Sequence, residues 1–541
     1  MRSKFFLAGF STFILSITVL HAQQIARPKL VVGLMVDQMR WDYLYRYYDR
    51  YSENGFKRLM SEGFNCQNTM IPYAQTLTAA GHASVYTGSV PAINGIIGNE
   101  WYDRSLGRSM YCVEDQDVKI VGGGPQSQPM SPKNLWTTTI TDELRLATNF
   151  RSKVIGVAIK DRGGILPAGH SANGAYWYDP TTGNWVSSTF YMPDIPNWVK
   201  GFNGRKIVDS LYKLEWNTLY PVETYVQSDR DDSPSEGKFS FEPKPAFPHK
   251  LSLLAGKNYG LISATPHGST MTLEFAKSAL VNEQLGADDI TDFLAVSISS
   301  PDYVGHQYGP NSVEVEDVYL RLDKDLAAFF SFLDAKVGKG QYTFFITADH
   351  AVAHVPTFLQ EHKIPGKALP YAETEAEIAL QKKYGIKNLV QAFENMQFYL
   401  DRRIIDSAKL NYAEVKSAFI AELNKMPDVL LAFDNQEAGE VSLPVEVKEM
   451  FSKGYNAKLG GEIQVLLKPG YFYGGKTGTT HGTPYPYDSH IPLLFMGWGV
   501  NSGGKLYREV HMTDIAPTIA ALLHIQMPNG NIGKVIPEVI K

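Results

Sequence analysis

Six residues that could bind a divalent metal lie where a predicted strand or loop ends. They are Asp37, Asp302, His306, Asp349, His350 and His481. Among them Thr78 opens a predicted helix and offers a hydroxyl that a metal or a base could activate as a nucleophile. Metal-binding carboxylates and imidazoles around such a hydroxyl indicate a two-metal phosphoryl-transfer site.

Each ligand pair is a weak signal when taken alone. Asp302 and His306 are four residues apart, so on a helical turn they face the same side and can bind one ion. Asp349 and His350 are adjacent, and both can reach a metal only where the chain turns at a strand end. Such pairs are more often helix-face pairs or strand-end caps. The delivery of all of them by strands of one sheet favours the metal site.

Thr78 has two possible roles. At a helix N-terminus its hydroxyl lies beside free backbone N–H groups and the positive end of the helix dipole, which both favour a phosphoryl group. The alternative is that Thr78 only caps the helix. We expect His82, one turn further on, to be a packed helix residue rather than a ligand.

Strand, loop and helix patterns alternate along the chain and predict an α/β fold with a mostly parallel central sheet flanked by helices. The predicted buried strands are Leu30–Val36, Val154–Ile159, Phe293–Ile298, Tyr342–Thr347, Ile463–Leu467 and Ile491–Met496. The predicted helices are Asn54–Glu62, Ala79–Tyr86, Thr138–Ala147, Thr270–Val281, Val313–Leu333, Tyr412–Asn424 and Thr513–Leu523. Ligands bind beyond the carboxyl ends of such strands, where Asp37, Lys160, Asp302 and Asp349 fall.

The spread of candidate ligands from Asp37 to His481 predicts one catalytic domain over residues 23–541. Two stretches interrupt its rhythm. Residues from about 169 to 250 resemble a loop-dominated insertion, and residues from about 355 to 458 are charged and helical in pattern. Such insertions either shape a substrate pocket or decorate the surface.

The N-terminus has the pattern of a signal peptide over residues 1–22. Arg2 and Lys4 precede an apolar run from Phe5 to Leu20, and the small residue Ala22 follows. The run is shorter than the roughly 20 apolar residues that span a bilayer, although an uncleaved anchor remains the alternative. We therefore expect a periplasmic or secreted protein with no stable membrane insertion after cleavage.

The net charge of −5 gives no general positive field, so binding to nucleic acid is not expected. The only cysteines, Cys66 and Cys112, could form a disulfide in an oxidising compartment or remain separate buried thiols. Neither cysteine lies in the Cys-x-Pro-x-Arg pattern of sulfatases.

Several segments, in this order along the chain, together resemble the alkaline phosphatase superfamily. They are Val36-Asp37, Thr78-Ala79-Ala80-Gly81-His82, Thr87-Gly88, Asp302-Tyr303-Val304-Gly305-His306, Thr347-Ala348-Asp349-His350, His481-Gly482 and Thr513-Asp514-Ile515-Ala516-Pro517-Thr518. Within that superfamily, Asn99 and the run Lys160-Asp161-Arg162 resemble the PafA-type periplasmic alkaline phosphatases, which use a threonine nucleophile.

The resemblance implies a set of roles. Asp302, His306 and His481 would hold one Zn²⁺, and Asp37, Asp349 and His350 would hold a second that also binds Thr78. The phosphoryl group would pass through a covalent phosphothreonine. Lys160 would replace the magnesium of three-metal relatives, so no structural Mg²⁺ is predicted. We predict a monomer.

Lys160 and Arg162 bear on whether the substrate is a phosphate monoester or a diester. Two side chains one residue apart lie on the same face of an extended segment, so both could contact one phosphate, with Asn99 as a neutral donor. A monoester dianion gains more from these cations than a diester does. The alternative is a solvated strand end.

One motif matches a nucleotide-binding pattern by its spacing alone. Residues Gly470 to Thr477 have the Walker A spacing, but the Gly- and Pro-rich stretch that follows cannot begin the required helix. We interpret this stretch as a loop that carries His481, which we prefer over His490 as a ligand because the family's histidine precedes a glycine.

The sequence thus predicts a zinc alkaline phosphatase that hydrolyses phosphate monoesters with broad specificity and releases inorganic phosphate. A phosphodiesterase or nucleotide pyrophosphatase of the same superfamily is the alternative. A catalytically silent exported binding protein is a third possibility, from another class.

Overall fold

The computed structural model describes residues 26–371 and 374–541, and the predicted signal peptide lies outside them. The strands in chain order are β1 (Leu30–Val36), β2 (Phe64–Met70), β3 (Glu100–Asp103), β4 (Arg108–Tyr111), β5 (Ile120–Val121), β6 (Val154–Ala158), β7 (Gly174–Asp179), β8 (Asn184–Ser188), β9 (Asp292–Ile298), β10 (Tyr342–Thr347), β11 (Lys367–Leu369), β12 (Val390–Glu394), β13 (Gln397–Leu400), β14 (Val429–Asp434), β15 (Ile463–Leu467), β16 (Tyr471–Tyr473), β17 (His490–Gly497), β18 (Lys505–Leu506) and β19 (Val510–His511).

The α-helices in chain order are α1 (Tyr43–Arg46), α2 (Phe56–Glu62), α3 (Thr78–Thr87), α4 (Pro91–Asn94), α5 (Ile140–Ala147), α6 (Asp161–Ala168), α7 (Asn197–Gly204), α8 (Ile207–Tyr212), α9 (Pro266–Asn282), α10 (Ser300–Tyr308), α11 (Val313–Leu333), α12 (Pro356–Glu361), α13 (Glu375–Tyr384), α14 (Arg402–Ser407), α15 (Tyr412–Leu423), α16 (Val445–Gly454), α17 (Pro486–Ser489) and α18 (Ile515–Leu523).

Five parallel strands form the centre of a large mixed sheet, in the order β10, β1, β9, β6 and β7. β17 lies antiparallel beside β10 and pairs with β2, and β8 lies antiparallel beside β7. Every residue of β1, β9 and β10 is buried, because helices cover both faces of the sheet. The predicted α/β class with a mostly parallel central sheet is confirmed.

One predicted strand belongs elsewhere. Residues Ile463–Leu467 form β15 as predicted, but β15 pairs with β13 and β14 in a separate sheet ordered β12, β13, β15, β14. This sheet and its helices enclose their own apolar core, which includes Phe398, Phe419 and Val465. An apolar run shows that a strand is buried but not which sheet receives it. We call the segment from β11 to β16, residues 367–473, the inserted unit.

The segment predicted as an insertion from about Gly169 begins with two strands of the central sheet, β7 and β8. Their aromatic and polar residues resemble loop composition, yet every residue of β7 is buried. Beyond β8 the segment consists mainly of short helices and loops up to α9.

Cys66 on β2 and Cys112 after β4 are both buried free thiols, so the structure favours the second of the two predicted alternatives. Within the described residues, no helix combines the length and the apolar character that crossing a membrane requires.

Candidate metal centre

Adjacent strands of the central sheet deliver four of the predicted site residues to one edge. Asp37 follows β1, Lys160 follows β6 and Asp349 follows β10. Asp302 lies in the first turn of α10, which begins just after β9. Because these strands are neighbours and parallel, their carboxyl ends meet and the four side chains converge.

The first group of ligand atoms comes from Asp302, His306 and His481, whose atoms lie within 4.8 Å of one another. The Nε2 atoms of His306 and His481 lie 3.1 and 3.7 Å from Oδ1 of Asp302. Asp302 and His306 occupy successive turns of α10, as their spacing predicts. His481 comes from the loop between β16 and α17.

The second group comes from Asp37, Asp302 and His350, which are all fully or almost fully buried. Nε2 of His350 lies 3.6 Å from Oδ1 of Asp37 and 3.5 Å from Oδ2 of Asp349. Asp349, which the resemblance assigns to the second ion, therefore adjoins this group. Asp302 belongs to both groups. Nζ of Lys160 bridges two of the carboxylates, at 2.5 Å from Oδ2 of Asp302 and 2.7 Å from Oδ2 of Asp37.

The three imidazoles are held in the same manner. Nδ1 of His306, His350 and His481 lies 2.8, 3.0 and 2.7 Å from the backbone carbonyl oxygens of residues 479, 351 and 76, respectively. A hydrogen bond from Nδ1–H to a carbonyl fixes the tautomer and leaves Nε2 as the free lone pair, which is the usual arrangement of a metal-binding histidine. All three Nε2 atoms face the carboxylates.

The carboxylates lack enough protein donors for their charge. Among the described residues, Oδ1 of Asp37 and Oδ2 of Asp349 are buried without a hydrogen-bond partner. Burial, together with the nearby charges of Asp302 and Asp349, raises the pKa of Asp37 well above its ordinary value. Burial and the neighbouring His350 and His306 lower the pKa of His481, which keeps that imidazole neutral as a ligand must be. This set of Asp oxygens and imidazole nitrogens fits Zn²⁺.

Thr78 is the first residue of α3 and only 1% of it is exposed. The residue that caps the helix is Leu77 rather than Thr78, so the capping alternative is not observed. Its Oγ1 lies 3.4 Å from Nε2 of His350. The hydroxyl therefore faces the second ligand group at the positive end of a ten-residue helix.

His82 is a packed helix residue, as expected. Its Nδ1 lies 2.8 Å from the carbonyl oxygen of Thr78 and 3.3 Å from Oδ2 of Asp349, and its Nε2 lies 2.8 Å from Oγ of Ser297. It therefore packs against Thr78 and Asp349.

Asn99 contacts the first turn of α3, and Arg162 lies near Lys160 on α6. Oδ1 of Asn99 accepts a hydrogen bond of 2.9 Å from the backbone N–H of Ala79, which leaves the amide NH₂ group free to donate. Arg162 lies in the first turn of α6, and Lys160 is the extended residue that caps this helix. The prediction that Lys160 and Arg162 share an extended segment is therefore wrong. The helix begins at once after Lys160, since residues 161–168 form α6 directly behind β6.

Two residues that sequence reasoning missed contact these groups. Gln38 donates from Nε2 to Oδ1 of Asp302 at 2.7 Å and from its backbone N–H to Oδ1 of Asp349 at 3.1 Å. It has a φ of 65°, an unusual conformation for this residue type that is found at functional sites. Tyr111 accepts a hydrogen bond of 2.8 Å from Nη1 of Arg162. Only the position of Gln38 next to Asp37 could have signalled its role.

Two rejected alternatives can also be located. His490 stacks on Trp41 at 4.7 Å and lies outside both ligand groups. After β16, residues 474–485 contain no helix, and α17 begins only at Pro486, so the Walker A spacing has no P-loop structure.

A family model described as type I phosphodiesterase / nucleotide pyrophosphatase matches residues 31–490. The chain is 53% identical over 519 residues to alkaline phosphatase PhoV from Synechococcus elongatus, with 96% of this chain and 94% of PhoV aligned. It is 50% identical over 520 residues to alkaline phosphatase PafA from Elizabethkingia meningoseptica, with 95% of each chain aligned. A Myroides odoratus protein named calcium-transporting ATPase is 53% identical over 536 residues, with 97% of each chain aligned.

A crystal structure of wild-type PafA superposes with a TM-score of 0.94 at 50% identity, over 96% of this chain and 100% of that one. The two proteins therefore share the fold over 96% of this chain. These similarities confirm the predicted relationship to PafA-type alkaline phosphatases, and the chain belongs to the type I phosphodiesterase / nucleotide pyrophosphatase family.

Proposed function

We propose that this protein is an alkaline phosphatase that hydrolyses phosphate monoesters through a phosphothreonine on Thr78, with two Zn²⁺ ions per chain. The observation that carries the proposal is the position of the Thr78 hydroxyl, at the N-terminus of α3 and 3.4 Å from His350. The relatives PhoV and PafA, at 53% and 50% identity, are both alkaline phosphatases.

Each group of site residues has its own proposed role. Asp302, His306 and His481 would hold one ion, and Asp37, Asp349 and His350 would hold the other. Bound zinc supplies Lewis acidity and promotes deprotonation of the attacking hydroxyl and water. Thr78 Oγ1 attacks phosphorus and forms the phosphothreonine as the leaving group departs, and water then attacks this ester and returns free phosphate.

Donors from Asn99, Lys160 and Arg162 would hold the phosphoryl group at the start of α3. The amide of Asn99 donates to it, Arg162 and Lys160 supply positive charge, and the helix dipole favours the anion. A monoester dianion gains more from two cations than a diester, which carries less charge. In this proposal all of these residues bind the phosphoryl group and none binds the leaving group, which supports a broad substrate range.

The residue pattern at 1–22 supports export to the periplasm or the medium. There the phosphatase would release phosphate from external esters. The substrates would be small phosphate monoesters, and the net charge of −5 argues against nucleic acid as a partner. We propose that the enzyme acts as a monomer.

The test compares kcat/KM for an aryl phosphate monoester and its matched diester, on zinc-loaded and on chelator-treated protein. We expect a strong preference for the monoester that disappears with the metal. Preference for the diester would instead identify a phosphodiesterase, and the absence of metal-dependent turnover would indicate a binding protein.

The nucleophile is tested separately with Thr78→Ala, and Thr78→Ser serves as the control that keeps a hydroxyl. We expect the alanine variant to lose at least about 1,000-fold in kcat, as happens when other enzymes lose their nucleophile, while its zinc content stays nearly unchanged. Mass spectrometry of acid-quenched wild-type protein should find phosphate on Thr78. Unchanged hydrolysis by Thr78→Ala would refute the assignment.

A further inference from the structure

Arg162 is held in place by a small network that the proposed chemistry does not use. The hydroxyl of Tyr111 accepts a hydrogen bond of 2.8 Å from Nη1 of Arg162 and donates one of 2.6 Å to Oδ1 of Asp161. The same carboxylate oxygen accepts the backbone N–H of Arg162 at 2.6 Å. Burial and the nearby Asp161 raise the pKa of Tyr111 well above its ordinary value, so the hydroxyl keeps its proton and can serve as both donor and acceptor.

Tyr111 reaches Arg162 from the hairpin of β3 and β4, which also carries Asn99. Glu100 is opposite Tyr111 in the antiparallel register, and the backbone N–H of Cys112 donates to the carbonyl oxygen of Asn99 at 2.9 Å. The open end of this hairpin thus supplies one phosphate-binding side chain, Asn99, and the support of another, Arg162. A shift of the hairpin would displace both.

The inserted unit also contacts the hairpin. Oγ of Ser109 donates to Oε1 of Glu394 at 2.8 Å, and Nδ2 of Asn395 donates to the carbonyl oxygen of Glu100 at 2.7 Å. At the hairpin turn, Nη2 of Arg104 contacts the carbonyl oxygen of residue 460 at 2.7 Å and Oε1 of residue 462 at 2.9 Å. The hairpin therefore contacts both Arg162 of α6 and the inserted unit.

We propose that Tyr111 is a positioning residue for Arg162, and that the hairpin of residues 99–112, held by the inserted unit, sets the preference for monoesters over diesters. The proposal rests on the proposed phosphatase function. It predicts that residues without contact to substrate control selectivity, because they orient the cation and the amide that distinguish a dianion from a monoanion.

The first test replaces Tyr111 with phenylalanine, which removes only the hydroxyl. Tyr102→Phe is the matched control, since Tyr102 lies in the partner strand and packs its ring against Tyr399 at 5.7 Å. We expect Tyr111→Phe to lower kcat/KM for the monoester by about 10-fold, since a hydrogen bond to a charged group is lost, and to change the diester by less than about twofold. Tyr102→Phe should leave both unchanged.

A double-mutant cycle shows whether Tyr111 acts through Arg162. In the Arg162→Ala background, Tyr111→Phe should have no further effect on the monoester. Independent losses in the double variant would overturn the positioning role. Equal losses on monoester and diester in the single variant would also overturn it, since a general structural defect would affect both substrates.

A variant remote from Thr78 tests the role of the inserted unit. Arg104→Ala removes the contacts at the hairpin turn, and we expect a selective loss of about two- to fivefold on the monoester at unchanged zinc content. Unchanged selectivity would show that the inserted unit does not control the preference for monoesters over diesters. The wild-type ratio separates the two hypotheses: if wild-type protein shows no monoester preference, the proposed function fails, whereas a preference that Tyr111→Phe and Arg104→Ala leave intact refutes only this inference.

Discussion

Replacing Arg162 with alanine should affect phosphate monoesters far more than diesters. The Arg162 guanidinium uses Nη1 on the Tyr111 hydroxyl, and its Nε is buried without a hydrogen-bond partner among the described residues. Burial opposes its charge, but the neighbouring Tyr111, Cys112 and Asp161 outweigh burial and raise the pKa of Arg162, so it stays a cation at any working pH. We expect a guanidinium nitrogen that does not contact Tyr111 to donate to a phosphoryl oxygen.

The size of the effect follows from that donor. A hydrogen bond to a charged group is worth about 1.5 to 3 kcal/mol, which corresponds to a loss of about 10- to 160-fold in kcat/KM. A diester presents less charge to the same donor, so we expect its kcat/KM to fall by less than about threefold.

The assay measures kcat/KM for an aryl monoester and its matched diester on zinc-loaded wild type, Arg162→Ala and Arg162→Lys. Lysine keeps the charge but loses the planar array of donors, so this variant should fall between the other two. Zinc content is measured on each protein, because a variant that loses metal would lose both activities. An equal loss on both substrates at full zinc content would refute the proposal that Arg162 distinguishes monoesters from diesters by their charge.

Two further predictions concern the surroundings of the site. In Gly81→Ala the new Cβ would lie 2.3 Å from the carbonyl oxygen of Asp349, so α3 must move away from that strand end; we expect both zinc content and hydrolysis to fall, and full retention of both would contradict the packing argument. Burial alone would lower the pKa of His249, but contacts with Glu242 and Glu314 outweigh it and raise the pKa to about 9. This raised pKa stabilises the fold fully below about pH 6.5, and the stabilisation is lost as pH rises through about 9. The free energy of unfolding, measured with urea from pH 6 to 10, should therefore fall more steeply in wild type than in His249→Gln, and equal slopes would contradict the assignment.

The central strands and the site at their ends are predictable because their signals are local. A buried strand between two helical layers needs a continuous apolar run, and β1 and β10 have the predicted bounds. Parallel neighbours then place Asp37 and Asp349 at one edge, whatever the loops between them do.

Features that depend on distant partners could not be predicted in this way. The apolar run of β15 is the same whether the strand joins the central sheet or the inserted unit, and only its pairing with β13 and β14 decides. Arg162 lies in a helix because α6 begins directly after Lys160, although the spacing of the two residues also suits a strand. The contact of Arg162 with Tyr111 spans 51 residues, and no local pattern marks it.

The imidazoles and the guanidinium are oriented by chemically different partners, and this difference has an evolutionary consequence. The carbonyl oxygens that hold His306, His350 and His481 belong to the main chain, so a substitution at position 76, 351 or 479 changes a side chain but leaves the acceptor in place. Arg162 depends instead on the side-chain hydroxyl of Tyr111, which a single Tyr→Phe replacement removes. Under the proposed roles, genetic drift would leave the metal ligands oriented while selectivity changes, and new substrate preferences could arise on an unchanged metal site.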